Sequence, residues 1–270
     1  MTQTSSTPDL LATIVAAARR IVDVRREHVS ETALEAEAAR RSPDGAAFLR
    51  ALRDGESPRV IAECKRRSPS RGILRENYHA AAQAASYASA GAAAISVLTE
   101  PTFFDGSLDD LAAVRAAVPV PILRKDFIVS RYQILEAVAA GADAVLLIVG
   151  ALEPGDLCAL IRTASGAGIA ALVEAHDADE LRLAIESGAT IVGVNSRNLR
   201  TLDVEPDLHD RLAGLIPPEV VSVAESGLRD FADLQRLGGL GYNAFLVGER
   251  LITQPDPGAA LRRLRKGSPS

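Results

Sequence analysis

Tryptophan is absent from this 270-residue sequence, methionine occurs once and cysteine twice. Cys64 and Cys158 are too few for a disulfide scaffold or a cysteine-rich zinc site, and they fit a reducing compartment. The scarcity of Trp and Met leaves little of the aromatic surface that binding platforms favour. Basic charge is not in excess: 30 Lys and Arg stand against 35 Asp and Glu, a formal charge of −5. That argues against nucleic acid as the main partner. No apolar run reaches the roughly 18–20 residues a membrane span needs. The stretch Leu10–Ala18 is short, follows Asp9 and runs into Arg19 and Arg20, the reverse of a signal peptide's polarity. The expectation is a cytoplasmic protein with no membrane and no nucleic-acid partner. With 47% apolar and 24% charged residues, the composition is that of a globular chain.

Thr7, Pro8 and Asp9 read as a helix start, with a capping hydroxyl, a proline in the first turn and an acid after it. Leu10, Ile14, Ala17, Ile21 and Val24 then recur at helical spacing. A second helix is expected near Glu31–Arg41 and a third from Phe48–Leu52. From Pro58 the pattern changes to short apolar runs alternating with longer helical stretches. The runs are Val60–Cys64, Ala94–Leu98, Val120–Leu123 and Ala144–Val149, then Ala170–Val173, Thr190–Val194, Val220–Ala224 and Ala244–Val247. Gly91, Gly141, Gly168 and Gly188 each follow a helical stretch, where a left-handed cap is expected. Eight strand–helix units with nearly continuous apolar strands imply a parallel sheet covered by helices. Eight closes into a (β/α)8 TIM barrel. The expected organisation is one α/β domain over residues 1–270, with a helical extension at 1–57 and the barrel at 58–265. An open doubly wound sheet is the alternative, but no G-x-G-x-x-G follows the first run.

A barrel of this kind keeps its site at the C-terminal ends of the strands. The residues that end or follow the runs include Glu63, Lys65 and Ser68, then Lys125 and Asp126. Glu174 ends the fifth run; Asn195 and Arg197 follow the sixth, Glu225 and Ser226 the seventh, and Gly248 the eighth. Loop polarity alone does not place single Lys and Glu residues at the last turn of apolar strands. A partly desolvated lysine beside a glutamate can be an acid, a base or a Schiff-base nucleophile. Two lysines and two glutamates around a dry pocket would supply acid–base groups with separated pKa values. The glycines after the seventh and eighth runs, in Ala224-Glu225-Ser226-Gly227 and Val247-Gly248-Glu249, sit where this architecture cradles phosphate. His28, His79, His176 and His209 show no metal-ligand spacing and are expected at the surface or at helix ends. Strand alternation turns Cys64 away from the mouth.

The segments IAECKRRSPSRG (Ile61–Gly72), FFDGSLDDL (Phe103–Leu111), PILRKDFI (Pro121–Ile128), LVEAHD (Leu172–Asp177), GVNSRNL (Gly193–Leu199), AESGL (Ala224–Leu228) and LVGERLI (Leu246–Ile252) resemble indole-3-glycerol phosphate synthase. They occur in the family's order over nearly the whole chain. The resemblance implies a (β/α)8 barrel with an N-terminal helical extension and a carboxy-lyase of tryptophan biosynthesis. The implied reaction converts 1-(2-carboxyphenylamino)-1-deoxyribulose 5-phosphate into indole-3-glycerol phosphate, carbon dioxide and water, without cofactor or metal. It further implies that Lys125 is the general acid and that Lys65 pairs with the substrate carboxylate. Glu174 would stabilise the cationic anilino nitrogen and move protons, while Glu63 and Asn195 hold the sugar hydroxyls. Ser68, Ser226, Gly227, Gly248 and Glu249 would bind phosphate, the last three through backbone N–H groups. Arg197 would orient Glu174 or the substrate. Pro69, Phe104, Phe127, Leu146 and Leu199 would line the anthranilate pocket. Ala175, Ser196 and Arg250 depart from residues common in the family, and none of them removes a catalytic group. The expected partner is a phosphorylated small molecule bound by a monomer.

Two other enzyme readings are a phosphoribosylanthranilate isomerase and a Schiff-base aldolase on the same type of barrel. An isomerase needs no carboxylate-binding lysine, so Lys65 argues against it. A catalytically silent barrel that binds a partner subunit could have dispensed with Lys125 and Glu174, and both are present.

Overall fold

The computed structural model describes residues 9–267; Thr7 and Pro8 lie outside them. Three helices precede the first strand: α1 (Leu10–His28), α2 (Glu31–Ala38) and α3 (Gly45–Arg53). Asp9 is extended and caps α1 by accepting from the Ala12 amide, so it precedes the first turn rather than occupying it as expected. Ser30 and Asp44 cap α2 and α3 in the same way. Each such cap contributes ~1 kcal/mol.

Strands and helices then alternate. The first half runs β1 (Arg59–Cys64), α4 (Ala80–Ser89), β2 (Ala94–Leu98), α5 (Leu108–Ala117), β3 (Ile122–Lys125), α6 (Arg131–Ala140), β4 (Ala144–Ile148) and α7 (Pro154–Gly166). The second half runs β5 (Ala170–Ala175), α8 (Ala178–Glu186), β6 (Ile191–Asn195), α9 (Leu208–Ala213), β7 (Val221–Glu225), α10 (Phe231–Gly239), β8 (Ala244–Val247), α11 (Glu249–Ile252) and α12 (Pro257–Lys266). Every pairing between the eight barrel strands is parallel, and β1 bonds to both β2 and β8, closing the barrel. The doubly wound alternative is thereby excluded.

Burial on both faces explains the apolar strands. Ile61, Ala94, Leu123, Leu172, Ile191 and Val223 fill the interior, while Val60, Ile95, Val145, Val173, Val192 and Phe245 meet the helices. Phe48 and Leu52 of α3 are fully buried with the interior residues. Through them α3 plugs the end where the strands begin, each side chain contributing roughly 2–3 kcal/mol. A Cβ at Gly45 would lie 2.5 Å from the Ala170 amide nitrogen, so only glycine lets α3 come this close. Gly91, Gly141, Gly168 and Gly188 all take the left-handed conformation read from their positions.

The boundaries differ from the sequence reading in ways that matter for the site. The third strand begins at Ile122 rather than Val120, because Pro121 has no amide to donate and the Arg115 guanidinium ties up the Val120 carbonyl. Strands β5, β6 and β7 run on to Ala175, Asn195 and Glu225, since the ladder continues through Glu174↔Gly193 and Asn195↔Glu225 whatever their polarity. The sequence reading missed a short antiparallel pair, Arg67–Ser68 with Gly72–Ile73, after β1, and also α11. Among the described residues no helix is long and apolar enough to cross a membrane.

Candidate active site

Alternation decides which side chains enter the barrel mouth. Ile61, Leu123, Leu172 and Val223 belong to the interior cluster. Two residues further along the same strands stand Glu63, Lys125, Glu174 and Glu225. Cys64, on the opposite phase, packs in the outer layer with its thiol toward the Ala80 carbonyl, as expected.

The polar groups converge. Lys125 Nζ donates to Glu174 Oε2 at 3.2 Å and lies 3.9 Å from Glu225 Oε2. Lys65 Nζ pairs with Glu63 Oε1 at 2.6 Å. Asn195 Nδ2 donates to Glu174 Oε1 at 3.1 Å, and the Asn195 amide oxygen accepts from the Arg197 backbone at 3.0 Å. A cavity of about 600 Å³ opens over this cluster and is lined by all sixteen residues named from the sequence. Pro69, Phe104, Phe127, Leu146 and Leu199 supply apolar wall, the two phenylalanine rings 6.1 Å apart. Ser68, Ser226, Gly227, Gly248 and Glu249 line it as well. Ser226 and Gly227 are consecutive left-handed residues with φ of 65° and 71°. Such strain in a non-glycine residue is held only where surrounding structure enforces it, typically at functional sites.

Several residues are placed differently from the sequence reading. Arg197 lines the cavity, in keeping with its expected role toward substrate, but its guanidinium donates to the Leu202 carbonyl at 3.0 Å instead of orienting Glu174. Asn195 and His176 take that role. His176 stands at a helix end as expected, just before the Asp177 cap of α8, but it is not a surface residue: its Nε2 lies 3.3 Å from Glu174 Oε1. It follows Glu174 by two positions on the same strand phase, which was the signal available in the sequence. His209 is buried, with Nε2 3.1 Å from the carbonyls of Val194 and Glu225 and its ring edge-on to Tyr242. Gly248 does more than present an amide. A Cβ there would stand 2.2 Å from Glu63 Oε1, so glycine leaves the space that the carboxylate fills. The Glu249 carboxylate turns away from the backbone site to Arg71, at 2.9 Å. Glu225 was noted at a strand end but not assigned to the site, although it meets both members of the Lys125–Glu174 pair.

The charges sort by environment. Burial opposes the Lys125 ammonium, but Glu174, then Glu225 and Glu63, outweigh it and hold the group above the ordinary lysine range. Burial would raise Glu174; Lys125 first, then His176 and Asn195, hold it below the usual carboxylate range. Burial pushes Glu225 well up, reinforced by Glu174 beside it, so of the two carboxyls Glu225 is the one that favours the protonated form. This is the behaviour of two carboxyls sharing a buried site. The arrangement offers a protonated amine touching an ionised carboxylate, a second cation–carboxylate pair across the cavity, and an apolar slot between them. Among the described residues no group of three or more His, Cys, Asp or Glu is arranged to hold a metal ion.

A family model described as indole-3-glycerol phosphate synthase matches residues 11–264. An indole-3-glycerol phosphate synthase from Parafrankia sp. (strain EAN1pec) is 50% identical over 249 residues, covering 92% of this chain and 91% of the relative. Indole-3-glycerol phosphate synthase 1 from Streptomyces coelicolor is 48% identical over 257 residues, covering 94% of each. Among solved structures, a 3-hexulose-6-phosphate synthase superposes with a TM-score of 0.62 at 16% identity, covering 77% of this chain and 98% of that one. That likeness concerns the fold.

Proposed function

The chain belongs to the indole-3-glycerol phosphate synthase family, and from that premise we propose that Lys125 and Glu174 are the acid and base of its reaction. The reaction closes the ring of 1-(2-carboxyphenylamino)-1-deoxyribulose 5-phosphate, expels its carboxylate as carbon dioxide and removes water to leave indole-3-glycerol phosphate, a carboxy-lyase step of tryptophan biosynthesis. Attack of the aromatic ring carbon on the ketone turns the carbonyl oxygen into an alkoxide and the anilino nitrogen into a cation. A site for this step needs a positive and a negative group held apart.

Lys125 meets the oxygen. Its raised proton affinity keeps it charged at neutral pH, and a developing alkoxide is far more basic still, so the transfer runs downhill. Glu174 faces the nitrogen. In the empty cavity it is a weak base because Lys125 neutralises it. Once Lys125 has given its proton away that field collapses, and Glu174 gains basicity when a proton has to be removed. Glu225, whose burial favours its protonated form, can donate a hydrogen bond beside the pair. Lys65 exchanges its Glu63 partner for the substrate carboxylate, and the released Glu63, with Asn195, takes the sugar hydroxyls and the dehydration step. Phe104, Phe127, Leu146, Pro69 and Leu199 sandwich the aryl ring. Ser68, Ser226 and the amides of Gly227, Gly248 and Glu249 hold the phosphate, whose binding energy fixes the flexible ribulose chain remote from the reacting carbon. Excluding water strengthens each of these interactions. Every group used comes from one barrel, so a single chain suffices for the reaction.

The Lys125–Glu174 contact at 3.2 Å inside the mouth carries this reading. Purified protein incubated with the carboxyphenylamino ribulose phosphate is expected to produce the indole chromophore. Lys125→Ala is expected to abolish it while leaving the fold and phosphate binding nearly intact. Normal turnover in that variant removes Lys125 from the chemistry.

A further inference from the structure

A second pair of titratable side chains stands against Glu174 without entering the cavity. His176 Nε2 is 3.3 Å from Glu174 Oε1, and its Nδ1 is 3.1 Å from Glu180 Oε2. The same Glu180 oxygen accepts from the His176 backbone amide at 2.8 Å. Neither side chain lines the cavity. Glu180 is itself fixed: Asp177 caps α8 by accepting from the amides of Asp179 and Glu180. A Cβ at Gly150 would lie 2.7 Å from Glu180 Oε1, so the loop after β4 gives up a side chain where that carboxylate sits. Nδ1 hydrogen-bonds Glu180, while Nε2 makes no hydrogen bond among the described residues and meets Glu174 as an ion-pair partner, a setting between two carboxylates that favours the doubly protonated, cationic ring.

We propose that His176, clamped by Glu180, is a positioning residue that keeps Glu174 ionised and correctly aimed while Lys125 is without its proton. Glu174 is faced by Lys125 from β3, Asn195 from β6, Glu225 from β7 and His176 at the end of β5; Glu63 of β1 adds its charge to the same cluster. His176 in turn faces Glu174 and Glu180. When Lys125 protonates the substrate oxygen, Glu174 loses its strongest cation. The proton on Glu225 can then pass to Glu174, because two buried carboxyls exchange a shared proton readily. The base would be quenched by its neighbour instead of by substrate. His176 is then the protein's own cation still touching Glu174, and it favours leaving a proton on Glu225. This inference rests on Glu174 being the base.

Steady-state kinetics against pH on folded His176→Leu, His176→Gln and Glu180→Gln, with Glu174→Gln in parallel, tests it. His176→Leu is expected to lower kcat about tenfold or more with little change in KM, as loss of a group that orients a reacting ligand typically does. Without the cation Glu174 binds protons more tightly, so the acid limb of kcat moves to higher pH. His176→Gln, which keeps a polar amide facing Glu174 but no charge, is expected to recover part of kcat but to keep the displaced limb, a separation that a merely structural role would not give. Glu180→Gln moves the limb in the same direction by less. Wild-type kcat and an unmoved limb in both His176→Leu and Glu180→Gln overturn the inference; if His176→Leu does not fold, Glu180→Gln decides. Glu174→Gln is expected to lose kcat far more than it raises KM. If it keeps wild-type kcat, the assignment of Glu174 falls and this inference with it. If it is inactive while the His176 and Glu180 variants behave as wild type, this inference alone falls.

Discussion

Gly193→Ala adds one methyl group to the inner face of β6, between Glu174 on β5 and Val223 on β7. The new Cβ would stand 2.1 Å from Glu225 Oε1, 3.2 Å from its Cδ and 3.4 Å from Leu172 Cδ1. Non-bonded heavy atoms settle at roughly 3.5 Å, so the Glu225 carboxyl has to retreat by more than about 1 Å. It is buried, with Glu174 and Lys125 on the side toward which it would move. A displacement of that size at a reacting pair costs on the order of 100-fold in kcat. The stability cost is smaller. Overpacking costs about 1–3 kcal/mol, and replacing a strand glycine returns roughly 0.5–1 kcal/mol. The net loss of about 1–2 kcal/mol lowers Tm by roughly 2–8 °C. Indole formation and thermal unfolding measured on one preparation separate the two effects. Gly155→Ala is the control, since a Cβ there meets nothing within 4 Å. A Gly193→Ala enzyme with kcat within about threefold of wild type would refute the reasoning, because the site would then tolerate a misplaced Glu225.

Two further outcomes concern stability. Arg124 is fully buried and donates to Asp126, Glu136, the Thr99 hydroxyl and the Gln133 carbonyl. Arg124→Met strands Asp126 without a cation and is expected to cost about 3–5 kcal/mol in denaturant unfolding; a loss under about 1 kcal/mol would show that the acids simply protonate. His176 is raised from 6.5 to about 10 when folded, chiefly by Glu174 and Glu180 working against burial. It binds its proton more tightly folded than unfolded, so its stabilisation is complete below about pH 6.5 and fades as pH climbs toward 10. The stability gap between wild type and His176→Gln, a few kcal/mol at acid pH, is therefore expected to narrow across that window. A gap independent of pH would mean that the imidazole is neutral in the fold.

The repeat of apolar runs and helical stretches made the barrel legible, because strands buried on both faces carry few polar residues, Ser96 and Ser222 among them, to confuse the period. Alternation along β1, β3 and β5 was enough to bring Glu63, Lys125 and Glu174 to one mouth. Strand ends were less legible. Glu174, Asn195 and Glu225 lie inside the ladders rather than after them, since backbone pairing with a neighbour depends on register and not on side-chain polarity. Partner choice was the least legible of all. Spacing from Glu174 hints at His176, but that Arg197 turns to its own loop instead depends on how Asn198–Asp203 folds back. The protonated state of Glu225 has the same origin, for it follows from burial beside Glu174 and not from any motif.

Three glycines each leave the volume that a carboxyl group occupies: Gly248, whose sequence reading was a phosphate-binding amide, for Glu63, and two otherwise plain residues, Gly193 for Glu225 and Gly150 for Glu180. A barrel interior packed like a crystal has no spare space for ionisable groups. Placing several carboxyls near two lysines therefore requires omitting side chains on neighbouring strands and loops. The omission also fixes the carboxyls, because each fits a slot bounded by backbone rather than by a side chain that could rotate away. Preorganised charge of that kind costs no reorganisation during the reaction, which is what makes it worth more than the same groups in water. By this argument the glycines belong to the catalytic apparatus as much as the residues that carry charge. Alanine at any of the three is then more damaging to turnover than to folding.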